Sequence, residues 1–329
     1  MNRRDALLAV FALSPLAMPL RALAQQSTGI FRIGFLVAAG ARRGSSALLD
    51  GFAQKMHELG YTEGKNLTIE WRYANGDYEL LPSLAAELVE IKADVIVTNN
   101  LPGTQAAQRA TSTIPIVFSG IADPVSNGVV KSLSRPEGNV TGLSLMMIDI
   151  IPKQVELLAS IVPKLSRIAY LQNPQVPIYK AVLRSVQASA QQIGATVLSV
   201  EAKNTEEIER GFIKMADWGA QGLMVWTDPY VYGQRSQIAQ LASRNRVPSM
   251  CFFVEEAEAG YLCSYGQDRV ENYRHTAVFV DKILKGAKPS DLPVEQPTIF
   301  PFVINLKTAK ALGIKIPPAV LLRADRVIE

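Results

Sequence analysis

Two aspartate-proline pairs, Asp123-Pro124 and Asp228-Pro229, each follow a short apolar run and are the side chains best suited to hold a ligand's ammonium group. A charge-assisted hydrogen bond of that kind contributes about 1.5 to 3 kcal/mol. Ser45, Ser46 and Thr104 stand where helical stretches begin. There, hydroxyls and free backbone amides favour a carboxylate or another anion. Tyr179, Tyr230 and Phe253 offer rings to stack on an apolar ligand part, for about 0.5 to 1.5 kcal/mol each. Asn99, Ser119 and Asn173 add polar groups at the ends of strand-like runs. The chemistry this set supports is reversible capture of a small polar solute. Each residue also has a purely architectural use: serines cap helices, Asp-Pro pairs make turns and aromatics pack cores.

Catalytic patterns are weak by comparison. The chain has two histidines, His57 and His275, and both fall in helical stretches away from strand ends. It contains no Gly-x-Ser-x-Gly elbow, phosphate loop or dinucleotide fingerprint. An enzyme would have to rely on carboxylates such as Asp123 and Asp228. Glu255, Glu256 and Glu258 form an acidic run that reads as the solvated face of a helix. No metal site or cofactor is expected. Cys251 and Cys263 lie in apolar runs that favour two buried thiols, and a bridge between them stays open.

Composition narrows the class further. Of 329 residues 48% are hydrophobic and 19% charged, too apolar for a disordered chain. Residues 1–24 read as a cleaved export signal: basic Arg3-Arg4, an apolar run from Ala6 to Leu13, and small residues at Ala22 and Ala24. The pair Arg3-Arg4 fits the general or the twin-arginine route. That segment holds Arg3, Arg4 and Arg21 against Asp5, so the remaining 305 residues carry 31 basic and 29 acidic side chains. Near neutrality, with no basic stripe between aromatics, excludes nucleic acid as the expected partner.

The elements that must position these residues repeat. β-Branched runs at 31–37, 67–73, 94–99 and 114–119 alternate with amphipathic stretches, and so do runs at 167–173, 196–201, 222–227 and 248–253. Gly60 and Gly194, helix stops, are 134 residues apart, and Pro115 and Pro248 are 133 apart. Two similar α/β lobes with parallel, doubly wound Rossmann-like sheets follow. One helix is expected over 232–245, and a long helix at 272–285 followed by an extended run at 298–304 crosses back to complete both lobes. The expected boundaries are 30–143 plus about 265–297 for one lobe and 144–264 plus about 298–329 for the other.

Phe118-Ser119-Gly120-Ile121-Ala122-Asp123-Pro124, Gly138-Asn139-Val140-Thr141-Gly142, Val280-Asp281-Lys282-Ile283-Leu284-Lys285-Gly286 and Asn305-Leu306-Lys307-Thr308-Ala309-Lys310 together carry a resemblance. The chain resembles the family of ABC-transporter substrate-binding proteins that includes tryptophan-binding members. The resemblance implies a type I periplasmic-binding-protein fold with a multi-crossover hinge. It also implies an exported, periplasmic, monomeric protein that hands a small-molecule ligand to ABC permease transmembrane subunits, with an apolar or aromatic amino acid as the expected ligand. A sensory module feeding a membrane receptor, or an enzyme on the same scaffold, are the alternatives.

Overall fold

The computed structural model describes residues 29–38, 46–175 and 179–329; the export-signal reading at 1–24 lies outside them. Chain order in the first lobe is β1 Phe31–Val37, α1 Ala47–Glu58, β2 Leu67–Tyr73, α2 Leu81–Glu90, β3 Val95–Thr98, α3 Leu101–Ala110, β4 Ile116–Ala122 and β5 Val140–Leu145. The five strands pair in parallel in the order β2-β1-β3-β4-β5. Ile33 to Val37 are all buried, as a strand covered by helices on both faces requires. One face packs Phe35 against Phe52 of α1, and the other packs Leu36 with Leu88 and Ile96.

The second lobe follows as α4 Ile151–Ile161, β6 Arg167–Gln172, α5 Tyr179–Gln192, β7 Thr196–Glu201, α6 Thr205–Trp218, β8 Gly222–Val225, α7 Pro229–Gly233, α8 Arg235–Arg244, β9 Ser249–Cys251, α9 Val254–Glu258 and β10 Cys263–Tyr265. Its strands run β7-β6-β8-β9-β10, the order of the first sheet over again. After α10 Arg269–Leu284 come β11 Phe302–Asn305, α11 Leu306–Leu312, α12 Pro318–Leu321 and β12 Arg326–Ile328. β11 joins β10 antiparallel and β12 pairs with β11, so the second sheet is mixed at that edge. The expected helix over 232–245 is two helices, because Asp228 caps a separate short one and Gln234 leaves helical geometry between them. Cys251 and Cys263 are free, buried thiols on neighbouring strands.

The chain passes between the sheets after β5, after β10 and again before β11. Between the last two passages α10 lies on α1, so close that a side chain at Gly51 would meet Val270 at 3.0 Å. The Gly138–Gly142 motif serves this architecture. Asn139 donates to the carbonyls of Thr111 and Ile114, and Thr141 donates to that of Leu292. Gly142 has φ +152°, and a Cβ there would lie 2.2 Å from the carbonyl oxygen of Phe118 on β4. Gly142→Ala therefore combines backbone strain with overpacking against a strand that cannot move, and should destabilise the fold by about 2 to 5 kcal/mol. Urea unfolding of the variant, with the midpoint shifted and the slope preserved, is the measurement.

Candidate functional site

Sheets with this strand order open a crevice beyond the carboxyl ends of the strands, where neighbouring crossovers leave in opposite directions. The ends here do converge on a cavity of about 300 Å³. Ala38 follows β1, Asn99 and Asn100 follow β3, Thr227 and Asp228 follow β8, and Phe253 follows β9. The Asn99 carboxamide accepts from the Ala38 N–H at 3.2 Å, tying two strand ends together. Asn100 caps α3 by accepting from the Gly103 N–H at 2.9 Å. Register between β4 and β5 shifts between Phe118 and Ile121. Ser119 and Gly120, in that irregularity, are delivered to the cavity wall, a common use of a bulge.

The electrostatics centre on Asp228. Its Oδ1 accepts the N–H groups of Tyr230 and Val231 at 2.7 and 3.3 Å, capping α7. Its Oδ2 is buried and makes no hydrogen bond of normal geometry, the Asn173 amide being the polar group beside it. Burial pushes the carboxyl above its ordinary value, against the pull of those backbone bonds and of the Asn173 amide. The complementary charge is Arg269, the first residue of α10. Its guanidinium lies 4.7 Å from the Tyr232 ring centre and 4.9 Å from that of Phe253, with the Glu255 carboxylate at 4.0 Å. From the other lobe Tyr78 reaches the cavity; burial and the Asp228 charge raise its phenol pKa, opposed by a hydrogen bond with Asn100. Leu145, Met147 and Tyr273 supply apolar wall.

Of the residues singled out from sequence, the structure brings Asn99, Ser119, Asp228 and Phe253 to the cavity. Asn173 stands behind it, beside Asp228, with its Oδ1 taken by the Gln175 N–H. Thr104 is buried in α3, its hydroxyl 2.6 Å from that of Thr98 and 2.8 Å from the Asn100 carbonyl. Asp123 is exposed at φ +48°, where its carboxylate accepts from the Ser126 N–H. β4 runs on to Ala122 and carries it past the wall. Tyr230 faces Thr205 on α6, hydroxyl to hydroxyl at 3.5 Å, and Tyr232 takes the place expected of it. Tyr179 opens α5 with Lys180 against its ring, outside the cavity lining. Ser46 precedes α1 without a side-chain cap, and Ser45 lies outside the described residues.

Tyr78, Arg269, Asn272 and Tyr273 line the cavity without a sequence signal, while Asn100 and Tyr232 adjoin Asn99 and Tyr230 in the same strand-end segments. For Asn100 the capping position ahead of α3 was a further signal. Among the described residues no group of three or more His, Cys, Asp or Glu side chains could hold a metal ion, and no helix is long and apolar enough to cross a membrane.

Comparison with known proteins gives a family and relatives. The profile of the ABC transporter substrate binding proteins matches residues 42–328. A tyrosine-binding protein of Clostridioides difficile is 28% identical over 266 residues, 80% of this chain and 76% of that protein. A Streptococcus pneumoniae ABC domain solved in complex with L-Trp superposes with TM-score 0.80 at 27% identity, covering 91% of this chain and all of the other. The ligand-free, open structure of a Clostridium difficile substrate-binding protein with adhesive properties superposes with TM-score 0.72 at 26% identity, over 91% and 99% of the two chains.

Asp228 should cost the fold stability. Its carboxyl holds a proton more tightly folded than unfolded, so stability falls as pH rises from the ordinary carboxylate range to the raised value and levels off above it. Asp228→Asn keeps an oxygen for the two backbone N–H groups and has no charge to bury. The variant should be more stable than the wild type at neutral pH, with the difference vanishing in acid. Denaturant unfolding of both proteins across that range measures it.

Proposed function

This chain belongs to the ABC transporter substrate-binding protein family, and we propose that it captures a free amino acid with an aromatic side chain for import. One observation carries the reading: a buried carboxylate oxygen without a partner and an arginine clasped by two rings line the same small cavity. A zwitterion satisfies both. Its ammonium pairs with Asp228 Oδ2 and its carboxylate with Arg269, while Tyr232, Phe253 and Tyr273 receive the side chain. The volume, about 300 Å³, is at the small end for ligand pockets, which run from roughly 300 to 1,000 Å³. That suits a single amino acid rather than a peptide. The names of the relatives, one binding tyrosine and one holding L-Trp, support the same class.

In this reading no bond is made or broken. The lobes, at 30–143 with about 265–297 and 144–264 with about 298–329, close on the ligand by population shift. The closed, exported monomer then docks on the permease from the periplasm. Titration calorimetry with L-tyrosine and L-tryptophan should show saturable binding and no product. Asp228→Asn and Arg269→Gln should each weaken it by about 1.5 to 3 kcal/mol. Tyr232→Ala should weaken it too, and Tyr230→Ala, altered on the far side of α7, should not. Equal losses at the two tyrosines would overturn the assignment.

A further inference from the structure

The acidic run 255–258 contains a side chain that the capture reading leaves unused. Glu255 is partly exposed and Glu258 exposed, but Glu256 is 0% exposed, against the solvated face expected for it. Its Oε1 accepts from the Thr227 hydroxyl at 2.8 Å and its Oε2 from the Phe253 N–H at 3.0 Å. Thr227 and Phe253 sit at the ends of adjacent strands, and both line the cavity. One carboxylate thus ties together the two strand ends that make the second lobe's wall.

Half of this clamp is ordinary capping, since the Phe253 N–H opens α9. The other half reaches back 29 residues to Thr227, which no helix requires. Capping alone is available from an uncharged side chain, without the cost of burying a carboxylate. The groups around Glu256 are Glu255 on its own helix, Cys251 on β9, Tyr261 ahead of β10, Tyr232 on α7 and Arg269 at the head of α10. Arg269 is the cation acting on it, and Arg269 lies over the ring of Phe253.

We propose that Glu256 is a positioning residue for ligand capture: it holds Thr227 and Phe253 in register and sets, through Arg269, how much positive charge a ligand's carboxylate meets. This rests on the amino-acid reading of the cavity. Burial pushes the Glu256 carboxyl up to about 7, with its two hydrogen bonds and Arg269 pulling the other way. Near neutrality it therefore passes between two states. Ionised, it shares Arg269 with the ligand; protonated, it leaves Arg269 to the ligand alone. Affinity falls as pH rises through that value, and reciprocally the ligand raises the pKa.

The test compares wild type, Glu256→Gln and Glu256→Ala by calorimetry with L-tyrosine and L-tryptophan. The glutamine keeps an oxygen for Phe253 and an amide to donate to Thr227, but has no charge. Wild-type affinity should drop roughly fivefold or more between about pH 6 and pH 8. Glu256→Gln should be flat across that interval and bind more tightly than wild type at the higher pH. Glu256→Ala, with the clamp gone, should bind roughly tenfold or more weakly at both. If the glutamine variant keeps the wild-type slope, or the alanine variant folds and binds like wild type, the proposal is overturned; should the alanine variant fail to fold, the slope decides alone. If neither amino acid binds wild type, the ligand reading fails, and the ligand-free protein decides this one. Trp226, next to Thr227, should then show a pH step in emission centred near 7 that Glu256→Gln lacks, and no such step in wild type sinks the proposal.

Discussion

Parallel strand pairing is the constraint from which the rest follows. A parallel neighbour cannot be reached by a hairpin, so each strand is followed by a crossover, and all carboxyl ends come out on one edge. With the order β2-β1-β3-β4-β5 in one lobe and β7-β6-β8-β9-β10 in the other, both lobes put their crevice at corresponding points. Ala38 and Asn99 in the first and Thr227 and Phe253 in the second reach one cavity for that reason. The antiparallel β11 and its partner β12 sit at the far edge of the second sheet, where they leave those ends untouched.

What was legible in the sequence was whatever depended on local pattern. Strand runs, helix stops and the repeat could be read because β-branched residues alternate with helical stretches and glycines end them; Gly60 and Gly194 do take positive φ, +95° and +73°. The fold class follows from that regularity, whereas the family resemblance rests on the stretches at 118–124, 138–142, 280–286 and 305–310. Side-chain direction at the site was less legible. Tyr230 and Tyr232 are two positions apart on a five-residue helix, too short to show a period, and its phase is set by the Asp228 cap. Tyr78 belongs to a tight turn after β2, and Arg269 to the head of a helix whose body packs in the first lobe. No local pattern ties either to Asp228. Glu256 was misread because an acidic run on an average helix faces water, whereas α9 is a single short turn enclosed by β10 and β11.

The site is one place where the fold gives up stability. Some buried polar groups are matched, as Tyr61 donating to Asp281, Asn305 to the Ala257 carbonyl and Gln154 to that of Tyr265, while Gln172 Oε1, Tyr261 Oη, Ser264 Oγ and Gln267 Nε2 are not. Around the cavity Asp228 Oδ2 goes without, and the hydroxyl of Tyr170, whose pKa the Asp228 charge helps to raise after burial, is likewise unpaired. A buried acceptor left open costs about 1 to 3 kcal/mol in the empty protein. In the proposed reading that cost is recovered when a ligand's ammonium arrives, so the atom that weakens the fold favours the ligand. Arg269 is prepared in the other sense: two rings and Glu255 hold it in place, and little side-chain freedom remains to be lost on binding.

In the proposed reading, closure depends on the balance between these contacts. Tyr78 from the first lobe stands near enough to Asp228 of the second for the aspartate's charge to disfavour ionisation of the phenol. It remains 41% exposed, so it is a weak brace between lobes that water competes for. A ligand bridging Ser119 or Asn100 on one side and Asp228 on the other adds desolvated, charged contacts that exist only when the lobes are together. A ligand shifts the open-to-closed balance only by its difference in affinity for the two forms. Contacts confined to one lobe contribute affinity without closure, and those shared between Asp228, Arg269 and the first lobe contribute both. In the proposed reading Tyr232, Phe253 and Glu255 hold Arg269 against the second lobe beside Asp228, so both ends of the zwitterion anchor there and closure falls to what Tyr78, Asn100 and Ser119 add from the first lobe.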